Sequence, residues 1–418
     1  MKRLFKKIII AILSWESRLI LKKYKPFIIA VTGSVGKTST KDAIYTLVSP
    51  TCHMRKSEKS FNSEFGLPLT ILGVDNGWND PLVWIENIFH GIELIFFRSE
   101  YPECLVVEVG ADHPGDIKNV AQWLSLDIAV ITRVSDVPVH VEFFPSADEL
   151  AKEKSYLLAG LKKTGKAVLS ADNERVRDMA KLVSGDQKTF TFGITSPATV
   201  SASDIQFNFP TGMTFKLNYE GNSIPVQLKG VLGNQHVYPI LAAVAVGLAK
   251  GISISKLVEA IGSHVPPRGR MNIVAGVRES ILIDDTYNSS PDAVEEALFA
   301  LSKIAVGGKK IAVLGDMLEL GKFSTEEHKK AGVLAMKSCD VLVTVGPRAK
   351  LMNENAISFN TSQEAGEYVK KIIAPGDAVL VKGSQSMRME RVVKELMAEP
   401  SQARELLVRQ EKEWLARV

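Results

Sequence analysis

The segment that most constrains the fold of this chain is an apolar run followed directly by a glycine-rich loop and a lysine. Residues 27–30 read FIIA and residues 31–40 read VTGSVGKTST. In such loops small residues let backbone N–H groups curve around phosphate oxygens, and the N-terminus of the next helix favours negative charge. The order of these parts predicts a buried strand, a phosphate-binding loop and a helix from about Ser39 to Val48.

The loop departs at one position from the standard pattern G-x-x-x-x-G-K-[ST], because Val31 stands where the first glycine is expected. The remaining parts are present, and we expect Lys37 to reach the outer phosphates and Thr38 to offer its hydroxyl to Mg²⁺. The other nucleotide-binding positions that we predict are Gly33, Ser34, Val35, Gly36 and Ser39. A glycine-rich turn without a ligand is the alternative interpretation.

Length, charge and cysteine content narrow the class of protein. A chain of 418 residues exceeds one hydrophobic core and suits two or three domains. The 51 basic and 47 acidic residues leave a net charge of only +4, so nothing in this balance indicates a nucleic-acid partner. The cysteines Cys52, Cys104 and Cys339 are too few and too dispersed for a disulfide scaffold, and they favour a reducing compartment such as the cytoplasm.

The first 25 residues, MKRLFKKIIIAILSWESRLILKKYK, combine basic ends with an apolar centre. The uncharged run in this centre is too short to span a bilayer, and no small-residue cleavage site follows it. We predict an amphipathic helix whose apolar stripe consists of Leu4, Ile8, Ile12, Trp15 and Leu19. This stripe is expected to pack on the helix's own domain, and the alternative is a peripheral contact of residues 1–23 with an anionic membrane surface.

Downstream of the loop, short β-rich runs alternate with helical stretches such as residues 147–161 and 236–251. This alternation predicts an α/β fold with a mostly parallel sheet that is covered by helices on both faces. The runs that we interpret as strands of this sheet are CLVVEVGA (104–111), DIAVITRV (127–134) and KAVLSAD (166–172). An antiparallel extension is predicted from KTFTFG (188–193), MTFKLNY (213–219) and IPVQLKG (224–230).

A proline-rich break, HVPPRGRMNI (264–273), separates this series from a second one, and we place a domain boundary near Pro266. The second series contains four predicted strands, SILIDDTYN, KKIAVLGDM, DVLVTVG and DAVLVKGS, which suffice for a Rossmann-like domain. The predicted organisation is a helix over residues 1–25, a central P-loop ATP-binding domain over 26–265 and the Rossmann-like domain over 266–418. We expect the last segment, SQARELLVRQEKEWLARV, to form a solvated helix.

Outside the loop, one residue is a candidate metal ligand and two more carry groups that could take part in chemistry. Glu108 ends a predicted strand, and ligands of open α/β sheets gather at the carboxyl ends of strands. A carboxylate there, close to Thr38, would complete an oxygen site for Mg²⁺, although a strand-end glutamate can also lie in solvent. His140 and Lys154, taken singly, are more typical of packed or surface residues than of a site.

Taken together, these residues resemble the Mur ligase family, whose phosphate-binding loop has the short form T-G-x-x-G-K-T that TGSVGKT matches. The family comprises ATP-dependent enzymes that join amino acids or peptides to a carboxylate. The similarity is greatest to the branch that adds D-alanyl-D-alanine to a UDP-N-acetylmuramoyl peptide, and it covers most of positions 27–397. The segments that carry it are FNSEFGLPLTIL (61–72), VVEVGADHPGDI (106–117), IDDTYNSSPDAVEEAL (283–298), VLGDMLELG (313–321) and VKGSQSMRME (381–390).

The resemblance implies a role for each candidate in the central domain. Lys37 and the loop amides would hold the β- and γ-phosphates of ATP, while Thr38 and Glu108 would bind one Mg²⁺. His140 corresponds to the family's ligand for a second Mg²⁺, and Lys154 to a lysine that CO₂ converts into a carbamate. Because that reaction needs a neutral amine, the site must lower the pKa of Lys154.

In the C-terminal domain the resemblance implies that Arg270 reaches the γ-phosphate and that Asp285 holds the ribose. It thus makes Arg270 a catalytic residue together with Lys37, His140 and Lys154. The residues that it places on the substrate side are Asn62, Asn288, His328, Lys382 and Ser384.

The implied reaction forms an amide through an acyl phosphate, with ATP and two Mg²⁺ ions as cofactors and a UDP-muramoyl peptide and D-alanyl-D-alanine as substrates of peptidoglycan synthesis. Two alternatives stay open. One is a related ligase that extends another carboxylate, as folylpolyglutamate and cyanophycin synthetases do, and the other is a P-loop protein that only binds or hydrolyses nucleotide. DDTYNSSP and GDMLELG favour the dipeptide-adding branch.

Two features differ from the family pattern. Family members of this type carry a separate UDP-sugar-binding domain ahead of the loop, whereas here residues 1–26 contain only the basic and apolar helix. The family's His-Asn-x-x-Asn pattern near the adenine is GNQHVYPIL (233–241), with Pro239 where an asparagine is expected. We therefore expect the donor and the adenine to be contacted differently in this chain.

Overall fold

The structure is a computed structural model that describes residues 2–57, 66–78, 80–137 and 143–415. In these residues a first sheet contains nine strands: β1 (Phe27–Thr32), β2 (Met54–Lys56), β3 (Cys104–Glu108), β4 (Leu126–Ile131), β5 (Leu161–Ser170), β6 (Lys188–Gly193), β7 (Val200–Asn208), β8 (Gly212–Tyr219) and β9 (Asn222–Lys229). Their spatial order is β2-β3-β1-β4-β5-β6-β7-β8-β9. Neighbours from β2 to β7 are parallel and the last two pairs are antiparallel. The predicted antiparallel extension is thus confirmed for β8 and β9 but wrong for KTFTFG, which forms β6 and pairs in parallel with both neighbours.

Helices cover both faces of this sheet because its central strands are apolar on both sides. In β1, Ile28 and Ala30 enter one core, whereas Ile29 and Val31 enter the other. The first core also receives α1 (Lys2–Tyr24), α3 (Gly66–Leu72), α4 (Pro81–Phe96), α5 (Asp116–Ala121), α6 (Ala147–Ala159) and α7 (Glu174–Asp178). The second core receives α2 (Lys37–Val48), α8 (Val237–Lys250) and α9 (Ile254–Ile261).

A second sheet follows in the C-terminal part. Its strands in the described residues are β10 (Asn272–Ala275), β11 (Ile281–Asp285), β12 (Lys310–Gly315), β13 (Val341–Val345), β14 (Ile357–Phe359) and β15 (Ala378–Lys382), in the order β10-β11-β15-β12-β13-β14. Only the pair of β10 with β11 is antiparallel. The helices of this part are α10 (Pro291–Lys303), α11 (Ser324–Ser338), α12 (Ser362–Ile372), α13 (Glu390–Leu396), α14 (Ala403–Leu406) and α15 (Lys412–Leu415).

The predicted α/β class is confirmed, and the four strands predicted for the second sheet are present as β11, β12, β13 and β15, but the prediction omits two further strands. The two strands that it omits, β10 and β14, are edge strands of four and three residues. Runs this short contain too few residues to show a periodic apolar pattern, and they become strands only by pairing with a neighbouring strand. The first sheet ends at Lys229 and the second begins at Asn272, and the domain boundary near Pro266 between them stays a prediction.

The N-terminal segment forms α1 and packs on the first domain, but with a different stripe from the predicted one. Ile9, Leu13 and Ile20 are buried in the core, whereas Ile8 and Trp15 are exposed. The predicted stripe was wrong because several rows of this helix are apolar, so that periodicity alone does not select the row facing the core. Among the described residues, no helix has the combined length and hydropathy that crossing a bilayer requires.

The prediction of a solvated C-terminal helix was also wrong. Residues 400–415 form short turns of helix joined by extended backbone, and they fold back onto the second domain. The Arg409 guanidinium donates to the Thr286 carbonyl at 3.0 Å and to Glu390 Oε2 at 2.9 Å. Arg388 donates to the other Glu390 oxygen at 2.6 Å. This buried Arg-Glu-Arg cluster holds the tail in place, a long-range arrangement that helical periodicity does not reveal.

We expect Glu390→Ala to lower the free energy of unfolding by about 3–5 kcal/mol, because it leaves two buried guanidinium groups without their carboxylate. The control is Glu395→Ala on the same helix, since Glu395 pairs with Lys370 in a solvent-exposed bridge and should contribute at most about 1 kcal/mol. Urea unfolding of both variants measures the difference. Equal, small losses would contradict the assignment of the cluster to the stability of this domain.

Candidate active site

The glycine-rich loop connects β1 to α2 in the conformation that a phosphate-binding loop needs. Gly36 has φ +83° and begins α2 from a left-handed conformation, which is favourable only for glycine. Gly33 has φ +151°, and a Cβ there would collide with the Thr132 side chain. The Thr132 hydroxyl donates to the Val35 carbonyl at 2.7 Å, and the Ser34 amide donates to the Arg133 carbonyl at 2.6 Å. The loop is therefore fixed against the end of β4.

Thr38 and Glu108 meet beside this loop. The Thr38 hydroxyl donates to Glu108 Oε2 at 2.9 Å, and Glu108 is almost fully buried. The parallel register pairs Val31 with Glu108, so β1 and β3 end at the same level and the carboxylate lies next to the start of α2. Two oxygen groups of the type that Mg²⁺ prefers are thus brought together by the sheet.

Two lysines with lowered pKa values line the same cleft. Burial and, to a smaller extent, the Lys37 ammonium lower the pKa of Lys154 to about 7, while Glu153, Asp112 and Glu108 oppose the shift. Burial is also the largest cause that lowers the pKa of Lys37. Lys154 lies on α6 and is buried, whereas a lysine side chain on a helix ordinarily extends into solvent. A neutral amine at this position is therefore accessible near neutral pH.

Glu153, which precedes Lys154, holds α6 against α5. Its carboxylate accepts from the Gly115 and Ile117 amides, both at 2.8 Å, at the start of α5. These amides have no partner within α5, so the buried carboxylate satisfies them and fixes the position of the next residue on α6. Glu153 and Asp112 were not among the predicted site residues, although VVEVGADHPGDI contains Asp112.

The second domain presents Arg270 to the loop. The Arg270 guanidinium stacks 4.3 Å from the centre of the Tyr287 ring and is close enough to Lys37 to lower that lysine's pKa further. Its Nε is buried and has no hydrogen-bond partner among the described residues. His236 contacts the Arg270 carbonyl at 2.7 Å, and burial lowers the pKa of this histidine to about 4. Arg270 is thus a cation held in place by Tyr287, and its Nε–H group has no hydrogen-bond acceptor among the described residues.

Asp285, Lys382 and Asn288 form one cluster. Lys382 Nζ donates to Asp285 Oδ2 at 2.7 Å and to the Asn288 carbonyl at 3.0 Å. Asp285 and Lys382 are neighbours across β11 and β15, and the lysine is buried. The three residues line the cleft, so the predicted ribose and substrate positions lie together, with the predicted ribose carboxylate already paired with Lys382.

Ser384 lines the cleft, whereas His328 supports it from behind. The Ser384 hydroxyl accepts from the Leu318 amide at 2.9 Å. His328 is fully buried, with Nε2 accepting from the Met317 amide at 3.0 Å and Nδ1 on the Ser324 carbonyl at 2.6 Å. Burial lowers the pKa of His328. Both ring nitrogens hydrogen-bond to the backbone of residues 317–324. The predicted substrate-side position of His328 is therefore not on the cleft surface.

A polar pocket near the predicted adenine region was missed by the sequence analysis. Asp172 accepts from the Ile194 amide at 2.6 Å, the Ser196 amide at 2.7 Å and the Tyr238 hydroxyl at 2.9 Å. Burial alone would raise the pKa of Asp172, but these hydrogen bonds outweigh it and lower the pKa. Gln235 also lines the cleft, and its buried Oε1 has no partner in the described residues. This acceptor suits an amino group such as that of adenine.

These residues enclose one cleft of about 2160 Å³ between the two sheets. Arg133, after β4, lies 3.7 Å from Asp292 and 3.9 Å from Glu296 on α10, so opposite charges of the two domains face each other at the cleft. Two predicted site residues, Asn62 and His140, lie outside the described residues. In the described part of the chain, no group of three or more histidine, cysteine or acidic residues could hold a metal ion by itself.

Comparisons with known families match both domains. The Mur ligase middle domain matches residues 31–247, and the Mur ligase glutamate ligase domain matches residues 269–385. UDP-N-acetylmuramoyl-tripeptide--D-alanyl-D-alanine ligase of Bacillus subtilis (strain 168) is 27% identical over 384 residues, which cover 89% of this chain and 76% of the relative. The enzyme of the same name from Escherichia coli (strain K12) is 26% identical, with 88% and 76% covered.

Solved structures agree with these matches. MurF ligase from Thermotoga maritima in complex with ADP superposes with a TM-score of 0.78 at 25% identity and covers 92% of this chain and 83% of that chain. MurF from Acinetobacter baumannii gives a TM-score of 0.76 at 25% identity, with 92% and 79% covered. The sequence and structure comparisons thus cover both sheets and the cleft between them.

We expect Gly33→Ala to destabilise the protein by about 1–3 kcal/mol and to weaken ATP binding, because the new Cβ forces the loop away from Thr132. Gly185→Ala is the matched control, since Gly185 has φ +66° with open space around its Cα. That change should cost about 1–2 kcal/mol without affecting nucleotide affinity. Thermal unfolding and ATP titration measure both effects. Unchanged ATP affinity in Gly33→Ala would exclude this loop from the nucleotide site.

Proposed function

Because this chain belongs to the Mur ligase family, we propose that it is the ATP-dependent ligase that adds D-alanyl-D-alanine to a UDP-N-acetylmuramoyl peptide in peptidoglycan precursor synthesis. The observation that carries the proposal is the convergence, in one cleft, of the loop lysine Lys37, the Thr38–Glu108 pair and the buried Lys154. Relatives with this activity in their names support the dipeptide as the incoming amine.

The reaction proposed for this cleft has two steps. In the first, a donor carboxylate oxygen attacks the γ-phosphorus of ATP, the bond to the leaving ADP oxygen breaks, and an acyl phosphate forms. In the second, the amine nitrogen of D-alanyl-D-alanine attacks the acyl carbon, inorganic phosphate leaves, and the nitrogen loses a proton. An amide, ADP and phosphate are the products.

The residues of the cleft lower the electrostatic cost of the first step. Two anions must approach each other, and two like charges about 4 Å apart repel by roughly 1–4 kcal/mol even in a well-solvated site. The loop amides and Lys37 supply positive potential on one side of the phosphates. Arg270 supplies it from the second domain, with a buried Nε free to donate. Closing the two domains would complete this arrangement and keep water from the acyl phosphate.

The residues present also fit Mg²⁺. Thr38 Oγ1 and Glu108 Oε2 would hold one ion together with phosphate oxygens, since Mg²⁺ takes few protein ligands and keeps water or phosphate in its other positions. When bound, Mg²⁺ offsets negative charge on the phosphates. A second ion is proposed at His140 and the carbamate of Lys154. Asn62, Asn288, Lys382 and Ser384 remain the proposed substrate side, and Asp285 the proposed ribose contact.

The proposal locates the enzyme in the cytoplasm, where ATP is available. The three cysteines are free thiols, which is compatible with a reducing compartment.

We also propose that the chain divides at residues 25 and 265, and that catalysis takes place between the domain of residues 26–265 and the domain of residues 266–418.

The direct test incubates the purified protein with ATP, Mg²⁺, a UDP-N-acetylmuramoyl-tripeptide and D-alanyl-D-alanine. We expect an amide product whose mass equals the sum of the two substrates less one water, with one phosphate released per amide. Omission of either substrate should stop phosphate release. Phosphate release that is independent of the amine would instead indicate a nucleotide hydrolase, and a product formed only with another carboxylate would indicate a different ligase.

Lys37→Ala should lower kcat/KM for ligation by about 10²-fold or more, because a preorganised cation on the outer phosphates is lost. The melting temperature should stay close to that of the parent protein, since Lys37 lies in a loop and its removal relieves the burial of a charge. Lys152→Ala, an exposed position on α6, is the control for general effects of removing a lysine. Ligation by Lys37→Ala at the parent rate would contradict the phosphate-loop assignment.

We expect Lys154 to form a carbamate, and the extent of its formation to rise between about pH 6 and pH 8, because only the neutral amine reacts with CO₂ and its pKa is lowered to about 7. A carbon-13 carbamate signal in labelled bicarbonate measures this without substrates. Lys154→Ala should lack the signal, lose activity and be partly rescued by short carboxylates, whereas Lys152→Ala should retain both. A fully active Lys154→Ala would refute the assignment.

A further inference from the structure

An exposed apolar face remains on the first domain, formed by α1 and α4. On α4, the outward side chains are Leu82, Ile85, Phe89, Ile92 and Phe96, spaced alternately by three and four residues. This spacing places them on one row of the helix, opposite the buried row that includes Trp84 and Leu94. Phe89 is 65% exposed and Phe96 is 76% exposed, values that are unusual for phenylalanine on a helix with an independent buried face.

The helices α1 and α4 are in contact with each other. Glu16 of α1 packs against the backbone of Gly91, so the two helices touch at their middle. Lys23 donates to the Leu94 and Ile95 carbonyls at 2.8 and 3.1 Å, so their C-terminal ends also meet. Each helix buries one row in the same core and leaves another row exposed. Ile8 and Trp15, 50% and 56% exposed, extend the apolar face onto α1.

The N-terminal segment that contains α1 is strongly basic in sequence. Residues 1–25 contain eight lysines and arginines and a single acidic residue, the buried Glu16, which gives them a formal net charge of +7. The whole chain carries +4, so the other residues together carry −3. On the exposed side of α1, Arg18 and Lys22 continue the row of Ile8 and Trp15. Two exposed carboxylates, Glu86 and Glu93, lie on α4 beside its apolar row.

We propose that the α1–α4 face docks this protein on an anionic membrane surface. Apolar and aromatic side chains backed by a basic helix are the combination that lies in a bilayer interface, where the rings enter the headgroup region and the cations meet anionic lipids. Two exposed tryptophans, Trp15 and Trp78, lie at this side of the domain, and tryptophan favours that interface. The helices dock in the plane of the surface and do not span it.

The face borders the catalytic cleft. Ile9 of α1, Pro81 and Trp84 of α4, and Trp78 just before α4 line the same cleft as the phosphate-binding loop. Docking therefore brings the end of the cleft nearest to α1 towards the membrane surface. Membrane binding can be measured without nucleotide or substrate, so the docking proposal and the proposed ligase function succeed or fail separately.

The test uses the full chain and vesicles of phosphatidylcholine with about one-third phosphatidylglycerol, compared with pure phosphatidylcholine. We expect the parent protein to sediment with the anionic vesicles at low salt and to bind more weakly as salt is raised. Phe89→Glu/Phe96→Glu should reduce the bound-to-free ratio about tenfold or more, with the melting temperature unchanged because both side chains are exposed. Arg18→Glu/Lys22→Glu should reduce binding to the anionic vesicles only.

Val333→Glu/Met336→Glu is the matched control, since these residues are similarly exposed on α11 of the second domain. It should bind the vesicles as the parent does. Absence of parent binding at low salt, or equal binding by the Phe89→Glu/Phe96→Glu variant, would overturn the proposal. Sedimentation equilibrium supplies the remaining outcome: a parent dimer that this variant converts into monomer would assign the face to a second copy of the chain.

Discussion

The parallel register of β1 with β3 is the constraint on which the site depends. It aligns Val31 with Glu108, and the Val109 amide then donates to the Val31 carbonyl at 2.9 Å. Both strands therefore end at one level, where the loop turns into α2 and Thr38 reaches the carboxylate. A slip of one residue would turn Glu108 to the opposite face of the sheet. The apolar residues that both cores bury from these strands fix that register.

Charge within the cleft is arranged around this point. Lys37 and Arg270 supply positive charge, against Glu108 and Asp112, and the Lys154 amine, whose pKa is lowered to about 7, lines the same cleft. Burial disfavours the charged form of each lysine, so the free cleft holds cations at a cost that an anionic ligand would relieve. The same low-dielectric environment strengthens their attraction for phosphate. One arrangement thus accounts both for the lowered lysine pKa values and for affinity towards a nucleotide.

The second domain completes the cleft through contacts that are distant in sequence. The buried Lys382–Asp285 pair joins the ends of β11 and β15, and the tail is fastened by Arg409 between Glu390 and the Thr286 carbonyl. These polar contacts explain why residues 400–415 line the cleft although their sequence suggested a solvated helix. At the other end of the cleft, α1 and α4 bury one row each and leave the other exposed, so the catalytic region adjoins an apolar, basic surface.

The sequence by itself determined the α/β class, the central strands β1, β3, β4 and β5, the loop and the family, because both-face burial and the glycine, lysine and threonine of the loop are local signals. It also identified Thr38 and Glu108 as neighbours, since parallel strands end together. Only the tertiary structure decided which row of α1 is buried, where the C-terminal tail lies, that His328 supports a turn and that Asp172 and Gln235 border the cleft. Those outcomes depend on contacts between backbone groups, charges and surfaces that are distant in sequence. Periodicity along the chain reports only local structure and does not predict such contacts.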